Sequence, residues 1–150
     1  MALWQINFVV SPKSAMADLP KFNGLYISEY ENSEHWEVLA LKPDFFEPLN
    51  SFLPKTDWYT PSIILFGNED TNRLEVCIDN NIVDSVSFRI DFRSQYKPIL
   101  TQLIEFFKAN DLIVLDEYLN LMPLDLEAFN IAIQNHKQVK IYNTLANSAT

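Results

Sequence analysis

Apolar and polar positions alternate residue by residue in some stretches of this chain and recur every three or four residues in others. In "LWQINFVV" (3–10), Leu3, Gln5 and Asn7 alternate with Trp4, Ile6, Phe8 and Val10, which predicts a half-buried strand ended by Pro12. "SIILFG" (62–67) is a continuous apolar run between Pro61 and Gly67 and reads as an interior strand. "RLEVCID" (73–79) and "VDSVSFRIDF" (83–92) alternate cleanly around Asn80 and Asn81, the pattern of a hairpin. "LIVLDE" (112–117) predicts a short strand, "NLMP" stops at Pro123, and "KIYN" (140–143) suggests an edge strand.

Helical spacing dominates elsewhere. Ile99, Leu100, Leu103, Ile104, Phe106 and Phe107 form one face, with Pro98 in the first turns, where a missing N–H costs least. Asp125 stands as N-cap before Leu126, Phe129, Ala132 and Ile133, and Lys137 and Lys140 lie beyond the negative end of that helix. Asp44, with Glu47 three residues on, predicts a short helix that ends at Pro54. Ser28 and Glu31 match a capping box ahead of "HWE", although "VLALK" (38–42) could equally pair as a strand.

Hairpin-linked strands in the middle, with helices before and after, predict an α+β domain. The expected form is a central, largely antiparallel sheet with about three helices in a single layer upon it. No linker or repeat divides residues 1–150, so one domain is expected, with 144–150 a loose tail.

The hairpin register decides what the alternating charges of "FRIDFR" (88–93) are for. Opposed residues share a face, so Leu74, Val76 and Ile78 must meet Phe88, Ile90 and Phe92. A two-residue Asn80–Asn81 turn sets Val76 across from Ser85, which breaks that match. Pairing Val76 with Val86 sets Arg73 against Arg89. Pairing Val76 with Phe88 sets Glu75 against Arg89 and Arg73 against Asp91. The last register is preferred, and it makes Arg73, Glu75, Arg89 and Asp91 a charge ladder and leaves Arg93 without a mate.

Composition narrows the function. The 48% hydrophobic and 21% charged content is that of a folded chain rather than a disordered one. A formal charge of −9 with no basic cluster argues against nucleic acid and is compatible with a basic protein partner. The single Cys77 suits a reducing compartment, the opening residues do not form a signal peptide, and no apolar run is long enough for a membrane helix. A cytoplasmic protein without membrane contact is expected.

Candidate chemistry is sparse. His35 and His136 stand alone in sequence, and zinc would need carboxylates to complete a set, so no metal is expected. With Gly24 and Gly67 the only glycines, a phosphate-cradling loop cannot be built, and no cofactor is expected. "GNEDTN" (67–72) lacks the spacing of a calcium loop. Cys77 alternates within a strand with no histidine near it in sequence. Glu29/Glu31, Glu34/Glu37, Glu69/Asp70 and Asp116/Glu117 are adjacent carboxylates, but acid–base work requires environments that separate their protonation, which sequence does not display.

The stretches "ALWQINFVV", "DFFEPLNSFLP", "WYTPSIILFGNEDTNRLEV" and "VSFRIDFR", in that order, resemble a group of small uncharacterised bacterial proteins. The shared pattern is an N-terminal Leu-Trp-Gln strand, a G-x-E-x-x-N turn and an R-x-D-x-R strand. The resemblance spans residues 2–142 and implies no assigned activity. Size and acidity also make the chain similar to immunity proteins, which bind and block a cognate toxin.

Three readings follow. The leading one is a non-catalytic protein-binding domain, such as an immunity-type inhibitor. The second is a small enzyme or ligand-binding domain with an arginine and carboxylate cleft, for which Arg93, Glu69 and Asp70 are the candidates. The third is a carbohydrate binder that uses Trp58 and Tyr59 as a stacking platform.

Overall fold

A computed structural model describes residues 2–22, 33–56, 60–68 and 70–148. The capping box of Ser28 and Glu31 lies outside them. The chain forms one seven-stranded antiparallel sheet with helical segments around it, an α+β arrangement. The strands are β1 (Gln5–Pro12), β2 (Lys55–Thr56), β3 (Ile63–Gly67), β4 (Arg73–Asp79), β5 (Ile82–Asp91), β6 (Leu112–Leu115) and β7 (Leu121–Met122). Their order is β2-β3-β4-β5-β1-β6-β7, so the N-terminal strand lies between the long hairpin strand and β6.

Six helical segments occur among the described residues, more than the three expected. They are 3-10 stretches at Lys13–Phe22 and Pro43–Ser51, α1 (Ser33–Leu39), α2 (Lys97–Ala109), α3 (Leu126–Gln134) and α4 (Lys137–Ser148). The α2 face is as its spacing predicts, with Leu100, Leu103, Ile104 and Phe107 buried. Asp125 caps α3 by accepting from the Ala128 N–H at 3.0 Å. Asp44 makes no such cap. It sits inside the first turn of the 3-10 stretch, and Lys42 holds the flanking position without a side-chain bond.

The strand expected at "KIYN" and the loose tail expected from residue 144 are both corrected. Residues 137–148 are one helix, α4. Val139 and Ile141 mimic strand alternation, but Ile141 is exposed, and the inward pair is Val139 with Tyr142, three residues apart. Tyr142 meets Phe92 edge-on at 5.5 Å.

The main core lies on one face of the sheet. Ile6, Phe8 and Val10 of β1, Val86, Phe88 and Ile90 of β5, and Leu74 and Val76 of β4 meet α2, α3, Trp36 and Phe46 there. Phe8 and Phe88 stack across strands at 4.9 Å. Val9, Ile113 and Leu115 point the other way and meet Ala15, Leu19 and Leu119 in a second, smaller cluster. Helical backbone therefore covers part of both faces, not a single layer.

The β4–β5 register differs from the preferred one. Val76 pairs with Val86, Leu74 with Phe88, Glu75 with Ser87, and Arg73 with Arg89. The tight Asn80–Asn81 turn does form, with both residues at positive φ (51° and 63°), as a type I′ turn requires. A bulge reconciles the two constraints. Ile78 faces Val83 while Cys77 faces Ser85, so Asp84 is the extra residue in β5. Its insertion flips the facing of the strand, and Val83 and Val86 both enter the core although three positions apart. The register expected for the ladder of Arg73, Glu75, Arg89 and Asp91, with Glu75 opposite Arg89 and Arg73 opposite Asp91, is thus not the observed one. Both registers keep Leu74 and Val76 against the apolar face of β5, so the tight Asn80–Asn81 turn with its bulge decides over cross-strand charge pairs of about 0.2–1 kcal/mol each.

At the end of β3, Gly67 has φ +95°, and a Cβ there would collide with the Asn72 carbonyl and the Leu53 side chain. Gly67→Ala should lower unfolding free energy by about 2 kcal/mol or more, readable as a drop in the urea midpoint with an unchanged slope.

Candidate functional site

Two polar constellations flank β1, one on each face. The first contains the alternating charges of β5. Asp91 is 2% exposed and receives three bonds from Arg93: the backbone N–H at 2.9 Å, Nε–H at 3.2 Å and a terminal N–H at 3.0 Å. The Arg93 guanidinium lies 3.9 Å above the Trp4 ring, and its bonds to Asp91 push its proton affinity further up. Arg93, expected to lack a mate, is therefore held on two sides.

Asn72 closes the group from the β3–β4 turn. Its Oδ1 accepts the Asp91 N–H at 2.7 Å, and its Nδ2 donates to Ser94 Oγ at 2.8 Å. Gln5 Nε2 donates to the Asp70 carbonyl at 3.2 Å, and Arg89 Nε donates to the Thr71 carbonyl at 3.3 Å. Of the residues expected to bind a ligand, Arg93 and Asp70 thus belong to a clasp that joins three chain segments. Glu69, Trp58 and Tyr59 lie outside the described residues.

The second constellation is a cleft of about 220 Å³ at the other face of β1. Ile6, Phe8, Ala132 and Ile133 supply apolar walls, and the turn Asp116–Tyr118 and the α3–α4 junction Asn135–Lys137 supply the polar rim. Local chemistry fixes each part. Asp116 Oδ1 accepts the N–H groups of Tyr118 and Asn120 at 2.9 Å each, which shapes the turn between β6 and β7. Gln138 Nε2 ties the start of α4 to the carbonyls of Leu3 and Gln5 at 2.9 and 3.2 Å.

Within the rim, His136 Nε2 lies 2.6 Å from Glu117 Oε1, with both side chains mostly buried. The Gln138 N–H donates to His136 Nδ1 at 3.0 Å, so the hydrogen bonding assigns the ring proton to Nε2, which donates to Glu117. Both ring nitrogens are consequently occupied. A general base oriented by a carboxylate needs its second nitrogen turned toward the reacting group. Here that lone pair is taken by the helix backbone. The arrangement builds a rigid, polar lip more readily than a proton shuttle.

The other histidine is not solitary either. His35 Nε2 lies 2.7 Å from Asp18 Oδ2, and its Nδ1 lies 3.2 Å from Ser14 Oγ. Adjacent carboxylates were visible in sequence, Asp116/Glu117 among them, but the partners sit 17 positions from His35 and 19 from His136. Only the fold brings each pair together.

Neither a family model, nor a curated protein, nor a solved structure matches this chain. Among the described residues, no helix is long and apolar enough to cross a membrane. The side chains themselves are the guide to function.

Two outcomes test these assignments. Asp91→Ala removes charge-assisted bonds from a buried group and should cost about 1.5–3 kcal/mol in chemical unfolding. Burial, with Glu75 and Asp84 nearby, pushes the Cys77 thiol up, against a lowering bond from Ser85. Its alkylation by iodoacetamide at neutral pH should run several-fold slower than that of free cysteine, followed by mass spectrometry.

Proposed function

We propose that the chain is a non-catalytic binding domain that receives an apolar anchor residue of a basic partner protein in the β1–α3 cleft. The observation that carries this reading is the layering of the cleft, apolar within and acidic at the lip. Ile6, Phe8 and Ile133 line its interior, and Asp116 and Glu117 stand at the rim with Lys137 as the single basic counterweight. A lysine or arginine would have to lead with its charge into the apolar floor, which is costly. An aromatic or branched side chain enters without that penalty, and basic residues beside it meet the carboxylates.

Two further facts support a protein partner. The chain carries −9 overall, a field that speeds encounter with a basic surface. Beyond Tyr118 the surface continues as a shallower groove with Met16, Leu19 and Leu121, and Met16, Tyr118 and Leu121 are exposed large hydrophobics. Contact area is thus available around the anchor. An inhibitor of a basic toxin in the reducing cytoplasm, as an immunity protein is, is one form of this function. The resemblance to small bacterial proteins is compatible with it.

A second reading, a small-molecule or enzyme site, draws on the His136–Glu117 pair in the same cleft. Occupation of both ring nitrogens makes it the weaker of the two.

Selection of random peptides on the immobilised protein tests the proposal. Enriched sequences should combine one aromatic or branched apolar residue with flanking Lys or Arg. Their binding should weaken about tenfold or more in Ala132→Phe, a loss of about 1.4 kcal/mol, and weaken again at high salt. Enrichment indifferent to Ala132→Phe, in a variant that keeps the wild-type melting temperature, would refute the cleft as the docking point.

A further inference from the structure

We propose that His35, Asp18 and Glu34 form a binding site for zinc or a similar divalent transition cation, separate from the cleft. The three side chains come from two elements: Asp18 from the first 3-10 stretch, and Glu34 and His35 from the first turn of α1. One ligand atom from each lies within 4.8 Å of the others.

The spacing suits a tetrahedral ion. Zinc bonds of about 2.0–2.1 Å to nitrogen and oxygen place neighbouring ligand atoms about 3.3 Å apart. His35 Nε2 is 2.7 Å from Asp18 Oδ2 and 3.8 Å from Glu34 Oε1. The two separations bracket the required one, so each changes by about half an ångström. Glu34 is 79% exposed and closes the longer gap by a rotamer adjustment, without moving backbone.

A partner for the other ring nitrogen of His35 is already in place. Ligating histidines engage their other ring nitrogen with a hydrogen-bond partner that fixes the ring. Ser14 Oγ occupies that role at Nδ1, 3.2 Å away. A hydroxyl both donates and accepts, so Ser14 serves either tautomer. When the ion takes the Nε2 lone pair, the proton on a neutral ring resides on Nδ1 and Ser14 accepts it. Asp18 then turns from hydrogen-bond acceptor to metal ligand without leaving its place.

Ligand chemistry selects the ion. One imidazole and two carboxylates suit zinc and its first-row neighbours, whereas calcium and magnesium prefer oxygen alone. Two carboxylates beside one imidazole also leave negative charge for the cation to neutralise. Binding ties α1 to the 3-10 stretch across 17 chain positions, a cross-link that stabilises the folded state when the ion is present. His136 and Glu117, with no third ligand within reach among the described residues, provide an internal control.

The test uses untagged full-length protein stripped with chelator, then titrated with zinc chloride by calorimetry and thermal unfolding. One equivalent of zinc should bind and raise the melting temperature, and calcium chloride should do neither. Cobalt chloride should give visible absorption of tetrahedral type. Asp18→Asn and His35→Gln should each weaken zinc binding about tenfold or more. His136→Gln should leave it unchanged. Circular dichroism confirms that the variants are folded, and the wild-type stoichiometry stands independently of them. Absence of zinc binding to wild type, or binding that survives His35→Gln at full strength, overturns the proposal.

Discussion

The buried carboxylate of Asp91 organises the polar side of this fold. Burial of a charge is tolerable only where hydrogen bonds and an opposite charge replace water. Asp91 obtains both from Arg93, whose guanidinium is braced on Trp4. The backbone of Asp91 binds Asn72, and Gln5 across from it in β1 binds the Asp70 carbonyl. The first strand, the β3–β4 turn and the end of β5 are thereby fixed to one another. The stretches that look most like a signature in sequence, Leu-Trp-Gln, G-x-E-x-x-N and R-x-D-x-R, are brought together in this clasp. Within those stretches the polar side chains of Gln5, Asn72, Arg89, Asp91 and Arg93 are engaged in architecture.

This clasp leaves the opposite face of β1 free to line a cleft. Ile6 and Phe8 contribute to both the core and the cleft wall, so their positions are set by the whole sheet rather than by a loop. Rigid walls cost a partner little ordering, and a short anchor can bind with useful affinity. The lip is equally restrained, because Asp116 is fixed by backbone bonds and His136 by Glu117 and Gln138.

Much of the fold was legible in the chain because most elements have a strong period. β4 coincides with "RLEVCID", and α2 with the three-and-four spacing of Leu100, Leu103, Ile104 and Phe107. The hairpin register was not legible, since the bulge at Asp84 leaves no mark in a pattern of side chains. With the bulge, the Asn80–Asn81 turn and the apolar match coexist; without it, they contradict. α4 was misread because only one of its faces is partly covered, so Val139 and Ile141 imitate alternation. The candidate site was less legible still. Asp18, which meets His35, and Glu117, which meets His136, are distant from them in sequence, and their meeting depends on tertiary geometry. Arg93 was singled out for want of a mate, yet its mate, Asp91, lay two residues earlier at the end of β5.

Among the described residues, the sheet ends at two very short rims. β2 and β7 each contribute two residues, Lys55–Thr56 and Leu121–Met122. An exposed strand edge is a template on which a second chain can add and propagate into aggregates. A rim of two residues offers too few ladder bonds to hold such an addition, and Lys55 on one side and Pro123 just beyond the other discourage its extension. The longest strands, β1, β4 and β5, lie in the interior of the sheet, away from both rims.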